Sequence, residues 1–395
     1  MIVIADDITG AAEMAGIAFA RGENVRLVCG GVAGGCSVGG CGTATYGITV
    51  IATDTRSMSE AEAVAETHRI TSNISPHPSA IFKKTDSALR GHVVAELSAL
   101  MEATGYQCAV YLPANPSKGR IIRGGTYYIN QVPIHETDFS FDPEFPAKTS
   151  ILRERFPDAE SKGIIMPDAE NEEDIQKVIA QYNDGKTLFA GAADLFSALL
   201  GHSIDTRNTR YTRTNRNTSD IRVSNSSPTL ILCGSTQSKP LDLGIPIAPM
   251  PLEIYDGNDD ISLWDTSAYT EAHSLILTMP YTHRTGKEAA VHLRTIMAQK
   301  TKELITKYLL PTLDGEGNGK GLHLIIEGGA TAWATLQALG WTQFEIVAQI
   351  APGVVQMSAT IACNTSTCKS KKRVIVTLKP GSYPWGNLFS SSANT

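Results

Sequence analysis

The chain has 395 residues, 42% hydrophobic and 19% charged, with a formal net charge of −6 at pH 7. That length exceeds what one hydrophobic core usually organises, so two domains are expected, and the acidic balance argues against nucleic acid as the main partner. No run approaches the roughly 18 consecutive apolar residues of a membrane span, and the first residues read as a strand without a basic leader or cleavage site, so the expected location is cytoplasmic.

The first half alternates strand and helix signals. MIVIA is followed by an Ala/Gly/Met-rich helical stretch to Arg21, then VRLVC, a glycine-rich loop, YGITVIAT and a helix through AEAVAETHRI. AIFKK, a helix through VVAELSALMEATG that stops at Gly105, and CAVYLP come next. RGGTYYINQVPI reads as a hairpin, and GIIMP, NEEDIQKVIAQY and TLFAG complete the pattern. Residues 201–228 are rich in Ser, Thr, Asn, Arg and Asp without apolar periodicity, which marks a linker or loop. Beyond it the pattern restarts with TLILCGSTQ, SLILTMP, a helix from about Lys287 to Tyr308, a break at DGEGNGKG, LHLIIEGG, a helix from Thr331, FEIVAQI and RVIVTLKPG. The expectation is α/β: two α/β domains, 1–228 and 229–395, each with a largely parallel sheet covered by helices, with an interdomain cleft.

Seven cysteines, odd in number and scattered, fit reduced thiols better than a disulfide framework. Cys29, Cys36 and Cys41 crowd the glycine-rich segment near residues 30–43. They lack Cys-x-x-Cys spacing and a local fourth ligand, so a loop is favoured over a zinc site.

In open parallel sheets the ligand crevice lies beyond the carboxyl ends of the strands. Four such ends in the first half are polar: Asp6-Asp7, then Asp54-Thr55-Arg56-Ser57, then Lys83 to Ser87 with Arg90-Gly91, and PANPSKGR. Arg56 and Arg90 are suited to gripping a small carboxylate bidentately, while Asp6, Asp7 and Asp86 are suited to binding sugar hydroxyls or taking a proton from one. Each residue alone has a plainer reading, since Asp7 or Thr9 could simply cap the following helix. The recurrence at four strand ends favours a site for a polyhydroxy acid. In the second half Cys233-Gly234-Ser235, Glu327-Gly328-Gly329-Ala330-Thr331 and Lys379-Pro380-Gly381 close strands. Gly-Gly opening a helix offers backbone N–H groups to an anion, although tight turns use glycine anyway.

These residues, taken in order, resemble the four-carbon acid sugar kinases. ADDITGA, TDTRS, KKTDSALRGH, LPANPSKGR with GGTYYINQVP, CGSTQ, EGGATA, IAPGV and LKPGSYPWG carry the likeness over nearly the whole chain. The resemblance implies an N-terminal domain for the acid sugar and a C-terminal domain for ATP, with Mg2+ accompanying the nucleotide. It implies threonate, erythronate or 3-oxo-tetronate as substrate. It places the acid against Asp6, Asp7, Arg56, Lys84, Asp86, Ser87 and Arg90, and the nucleotide against Ser235, Gly328, Gly329, Ala330, Thr331 and Gly381. Asp7 or Asp86 is the expected catalytic aspartate. The chain departs from the family's pattern at Ala330, where an acidic residue is usual, and at Pro380, which removes a backbone donor.

Two other readings stand beside it. One is a non-catalytic sugar-acid or nucleotide sensor, suggested by Ala330 and Pro380. The other is a haloacid-dehalogenase-like phosphatase, disfavoured because strand alternation should aim adjacent aspartates to opposite sides. The sequence leaves the particular acid and homo-oligomerisation open.

Overall fold

Continuous apolar runs dictate the layout of the first part of the chain. The strands Ile2–Ala5 (β1), Ile48–Ala52 (β3) and Thr187–Gly191 (β10) are buried at every position, as expected of parallel strands covered on both faces. The computed structural model describes residues 1–30, 46–74, 80–142, 144–203, 228–234, 241–269, 273–280, 286–309, 321–365, 368–381 and 388. It divides into two compact units, Met1–Thr212 and Arg213–Thr395. The division falls within the polar stretch 201–228, of which residues 204–227, like the glycine-rich loop from residue 31 to 45, lie outside the described residues.

In the first unit, β1 leads into α1 (Ile8–Ala20), β2 (Val25–Cys29), β3, α2 (Glu60–Ser72), β4 (Ile81–Lys84), α3 (Val93–Thr104) and β5 (Cys108–Leu112). A small antiparallel sheet follows, of β6 (Arg120–Arg123), β7 (Thr126–Ile129) and β8 (Val132–Pro133), where the sequence predicts a hairpin. Then come α4 (Leu152–Arg155), β9 (Ile164–Ile165), α5 (Glu172–Tyr182), β10 and α6 (Ala193–Ser203). The main sheet has the order β2-β3-β1-β4-β10-β5-β9, with every pairing parallel. The chain steps to opposite sides of β1, so the carboxyl ends of β3, β1 and β4 lie side by side at the switch point where such sheets bind ligands.

Local signals set the helix ends. Ser59 and Glu62 form a reciprocal capping box at the start of α2, and Gly105, in the left-handed conformation, ends α3 with its N–H on the Met101 carbonyl. Helix α6, built from ADLFSALL, is an addition to the elements predicted from sequence.

The second unit contains β11 (Thr229–Cys233), β12 (Ile247–Pro249), α7 (Leu252–Tyr255), β13 (Ser274–Thr278), α8 (Lys287–Leu304), β14 (Leu322–Glu327), α9 (Gly329–Leu339), β15 (Gln343–Ala351), β16 (Val354–Thr365) and β17 (Cys368–Lys379). Strands β12-β13-β11-β14-β17 are parallel, and β17-β16-β15 continue the sheet antiparallel. Residues 354–365 thus form a strand that the sequence reading passes over. It returns from β15 through Pro352-Gly353, a turn dipeptide of the expected kind.

The core of this unit holds His323 on β14. Its Nε2 lies 2.8 Å from the Thr377 hydroxyl and 3.4 Å from Gln356 Nε2, and burial pushes its pKa down to about 4. The unfolded chain takes up that proton near pH 6.5, so this contribution to stability is complete above 6.5 and is lost as pH falls toward 4. We expect wild type to lose about 2 kcal/mol more than His323→Gln between pH 7 and pH 5. Urea unfolding of both proteins at the two pH values checks it.

Candidate functional site

Strand β1 ends at Ala5, and the two aspartates that follow share one cation. Arg56 sits in the short 3-10 turn after β3. Its Nε donates to Asp6 Oδ2 at 3.0 Å and its Nη2 to Asp6 Oδ1 at 2.9 Å, a bidentate pair. Its Nη1 donates to Asp7 Oδ2 at 3.1 Å and lies 3.7 Å from Asp86 Oδ1, beyond β4. Asp7 is also the N-cap of α1, with Oδ1 accepting from Gly10 N at 2.8 Å and Oδ2 from the Thr9 hydroxyl at 2.5 Å. Capping and site contact are therefore done by the same carboxylate. The alternation argument for aspartates on opposite sides fails here because both residues lie past the end of the strand.

Asp86 receives Arg90 Nε at 2.8 Å and Nη2 at 3.1 Å, and Arg90 Nη1 reaches Asp142 at 3.3 Å. The sequence-predicted Asp6, Asp7, Arg56, Asp86 and Arg90 thus meet in one cluster. Lys84 joins it, because a Cβ on Gly10 would fall 2.7 Å from Asp7 Oδ1 and 3.3 Å from Lys84 Nζ. Glycine at position 10 leaves room for that approach. Lys84 Nζ donates to the Thr85 carbonyl at 2.8 Å and stands 3.8 Å from Glu13.

The three carboxylates differ in proton affinity. Burial pushes Asp6 above the usual carboxylate range, even against the pull of Arg56. Burial also opposes ionisation of Asp7, but Arg56, Lys84 and the bonds from Thr9 and Gly10 outweigh it and hold its carboxyl below that range. For Asp86 burial is again overcome, by Arg56 and Arg90 together, and its carboxyl is held well below the usual range. The Asp7 side chain is the most accessible of the three, 17% exposed against 11% for Asp86 and 3% for Asp6.

Adjacent lysines on β4 do different work. Lys84 faces α1, whereas Lys83 turns to the other face and donates to Glu96 on α3, both fully enclosed. Glu96 also accepts from Thr55 at 2.7 Å, Thr55 pairs with Thr53 at 2.8 Å, and Thr53 donates to the Ala5 carbonyl at 2.9 Å. This chain of bonds ties the ends of β1, β3 and β4 to α3 beneath the cluster.

Sequence reasoning missed a second ring of residues. Lys118 Nζ is 2.5 Å from Glu13, and Arg120 donates to the Ser87 hydroxyl. Arg90 and Arg120 each lie 5.7 Å from the centre of the Phe139 ring. Lys118 and Arg120 belong to the quoted PANPSKGR segment, whose polar character was a signal. Glu13, Phe139 and Asp142 carried none.

In the second unit Glu327 and Lys379 end the paired strands β14 and β17 and form a buried ion pair. Lys379 Nζ also donates to the Pro380 and Gly381 carbonyls at 3.1 and 3.2 Å. Gly328, with a φ of +97°, precedes α9, whose first turn contains Gly329, exposed Ala330 and buried Thr331. A Cβ on Gly234, just past β11, would overlap the Thr331 hydroxyl, so the CGSTQ strand end abuts the start of α9. Ser235 lies outside the described residues. Among the described residues no group of three His, Cys, Asp or Glu side chains is arranged to hold a metal ion, and no helix is long and apolar enough to cross a membrane.

Residues 1–158 match the family model described as the sugar-binding N-terminal domain. A D-threonate kinase of Salmonella typhimurium is 30% identical over 232 residues, spanning 50% of this chain and 53% of the relative. A D-erythronate kinase of Heliobacterium modesticaldum is 29% identical over 170 residues, 38% of this chain and 34% of the relative. Over the matched stretch the chain is thus similar to kinases of four-carbon acid sugars. It spans about half, or less, of the length of these curated relatives. In fold, the chain is similar to a solved Haemophilus influenzae protein of the family model DUF1537, with a TM-score of 0.64 and 18% identity over 98% of each chain.

The buried Lys83–Glu96 pair makes a stability prediction. Glu96→Ala leaves the Lys83 charge enclosed without its partner and should cost about 3–5 kcal/mol in urea unfolding. Lys83→Met combined with Glu96→Leu should recover most of that loss.

Proposed function

We propose that the chain phosphorylates a hydroxyl of a four-carbon acid sugar, of threonate, erythronate or 3-oxo-tetronate type, at the expense of ATP. The observation that carries this reading is the cluster of Asp6, Asp7, Asp86, Arg56 and Arg90 at three adjacent parallel strand ends, inside a domain matched as sugar-binding. A polyhydroxy acid needs hydroxyl acceptors and cationic donors side by side, and the cluster supplies both. The relatives named as threonate and erythronate kinases support the substrate class.

The second unit is assigned to the nucleotide. Backbone N–H groups at the start of α9, from Gly329 to Thr331, suit phosphate oxygens, whereas the Gly328 N–H is taken by the Lys379 carbonyl at 2.9 Å; Gly381 and Ser235 are assigned as further contacts. Magnesium ordinarily binds through substrate phosphates, water and one or two carboxylates, which fits a unit whose described residues form no metal cage of their own. When bound, the ion would neutralise charge on the phosphates. Ala330 offers no carboxylate there, and Pro380 no N–H.

Phosphoryl transfer asks for positioning and charge stabilisation more than for a strong base. Asp7, the most accessible carboxylate of the cluster, is assigned to orient the nucleophilic hydroxyl and accept its proton. Asp86 is bound by Arg90 and near Arg56, two arginines against the one on Asp7, which makes it the weaker proton acceptor of the two, and its part is to hold those arginines in place. Lys84, beside Asp7, is placed to offset developing negative charge. A phosphatase of the haloacid-dehalogenase kind would need a nucleophilic aspartate and a separate acid/base aspartate, whereas Asp6 and Asp7 both bond the one guanidinium of Arg56.

ADP release should require an added four-carbon acid when threonate, erythronate and 3-oxo-tetronate are compared. Nucleotide binding without acid-dependent turnover would indicate a sensor, and phosphate release from a sugar phosphate without ATP a phosphatase. Asp7→Asn keeps an effective helix cap, so it isolates the chemistry: kcat should fall on the order of 10²–10⁴-fold while the KM for ATP stays within about threefold.

A further inference from the structure

We infer that Arg120, with the Ser87 hydroxyl, binds the carboxylate of the acid sugar, and that Arg120 rather than Arg56 or Arg90 sets the preference for an acid over the matching neutral polyol. The inference rests on the kinase reading above and names the part of that site which selects the substrate class.

The neighbouring cations are already committed. Arg56 uses Nε, Nη1 and Nη2 on Asp6 and Asp7. Arg90 uses the same three nitrogens on Asp86 and Asp142. Arg155 donates to the carbonyls of Leu89, Phe145 and Pro146 from all three of its nitrogens. Lys84 and Lys118 both face Glu13. A ligand carboxylate taking the Nε–Nη2 fork of Arg56 or Arg90 would have to displace a protein carboxylate and leave that charge half-enclosed and unpaired, a costly exchange, whereas on Arg120 that fork is open.

Arg120 differs. Among the described residues it has no carboxylate within ion-pair reach, and its one side-chain hydrogen bond is from Nη1 to Ser87 Oγ. A guanidinium carries five N–H donors in a planar fork, so an edge remains for a bidentate carboxylate. Its position is fixed nonetheless. Arg120 opens β6, exchanges backbone hydrogen bonds with buried Asn115 at 2.7 and 3.2 Å, and stacks on the Phe139 ring that Arg90 also touches. Ser87 is held from behind by the Tyr127 hydroxyl, which donates to its carbonyl. Since Ser87 Oγ accepts from Arg120, its own proton remains for a ligand oxygen. Charge points the same way: Asp6, Asp7, Asp86, Asp142 and Glu13 face Arg56, Arg90, Lys84 and Lys118, and without Arg120 an incoming anion would meet a net negative surface.

The test is calorimetric binding of D-threonate and D-erythronate, and of threitol and erythritol, to the full chain and to Arg120→Met and Arg120→Lys, with steady-state kinetics alongside. Wild type should favour acid over polyol by about 100-fold. Arg120→Met should bind the two within about threefold of each other, with the KM for the acid raised and that for ATP unchanged. Arg120→Lys, which keeps the charge but loses the fork, should fall between them and serves if the Met variant does not fold. Variants that retain the wild-type acid preference overturn the inference while leaving the kinase reading intact. Wild type that binds neither acid nor polyol overturns both.

Discussion

The guanidinium of Arg56, set among three carboxylates, is the constraint on which the first unit depends. Two consecutive aspartates at the end of a buried strand would be intolerable alone, because each enclosed charge costs several kcal/mol unless paired and hydrogen-bonded. Arg56 offsets that cost for Asp7 and part of it for Asp6, and its backbone N–H also bonds the Asp6 carbonyl at 3.2 Å. The end of β3 is thereby fixed against the end of β1, and Asp86 brings β4 into the same arrangement. Beneath it, Lys83, Glu96, Thr55 and Thr53 lock the same strand ends from the other face of the sheet. So braced, the cluster is suited to present hydroxyl acceptors and cationic edges to the proposed substrate.

The second unit solves a different problem with different materials. Its sheet ends in one buried pair, Glu327 with Lys379, and the lysine spends its remaining donors on the turn at Pro380-Gly381. What faces outward there is backbone: a glycine turn, the first turn of α9 and the close seat of Gly234 against Thr331. In the proposed reading, fixed side-chain charges discriminate among small acids. Backbone donors at a helix start accept phosphate oxygens of any nucleotide.

Much of this was legible in the sequence. Parallel strands buried on both faces appear as unbroken apolar runs such as IVIA and ITVIA, and the residues that close them sit at the ligand-binding edge by topology alone. Asp6, Asp7, Arg56, Asp86 and Arg90 were singled out for that reason, and the fold brings them together. Their pairing was not legible. Both arginines looked available for a substrate carboxylate, whereas each is bound to protein carboxylates, one of them as far along the chain as Asp142. Arg120 lies 33 residues from Ser87, and only the return of β6 brings them together. Alternation misled at Asp6-Asp7 because it holds within a strand and β1 stops one residue earlier. Lys83 and Lys84 read alike, yet opposite faces of β4 give one to the core and one to the site. Strand β16 was passed over although Pro352-Gly353 marked its turn.

Side-chain carboxyl NMR titration of the wild-type protein, with Asp6, Asp7 and Asp86 assigned, tests the central claim most directly. Arg56 at the hub, with Arg90 beside it, requires a split response: Asp86 stays ionised well below the usual carboxylate range, Asp7 titrates below that range, and Asp6 titrates above it. Three carboxyls titrating together near the ordinary value of about 4 would contradict the account, because groups that share one half-buried cation in unequal settings do not behave alike.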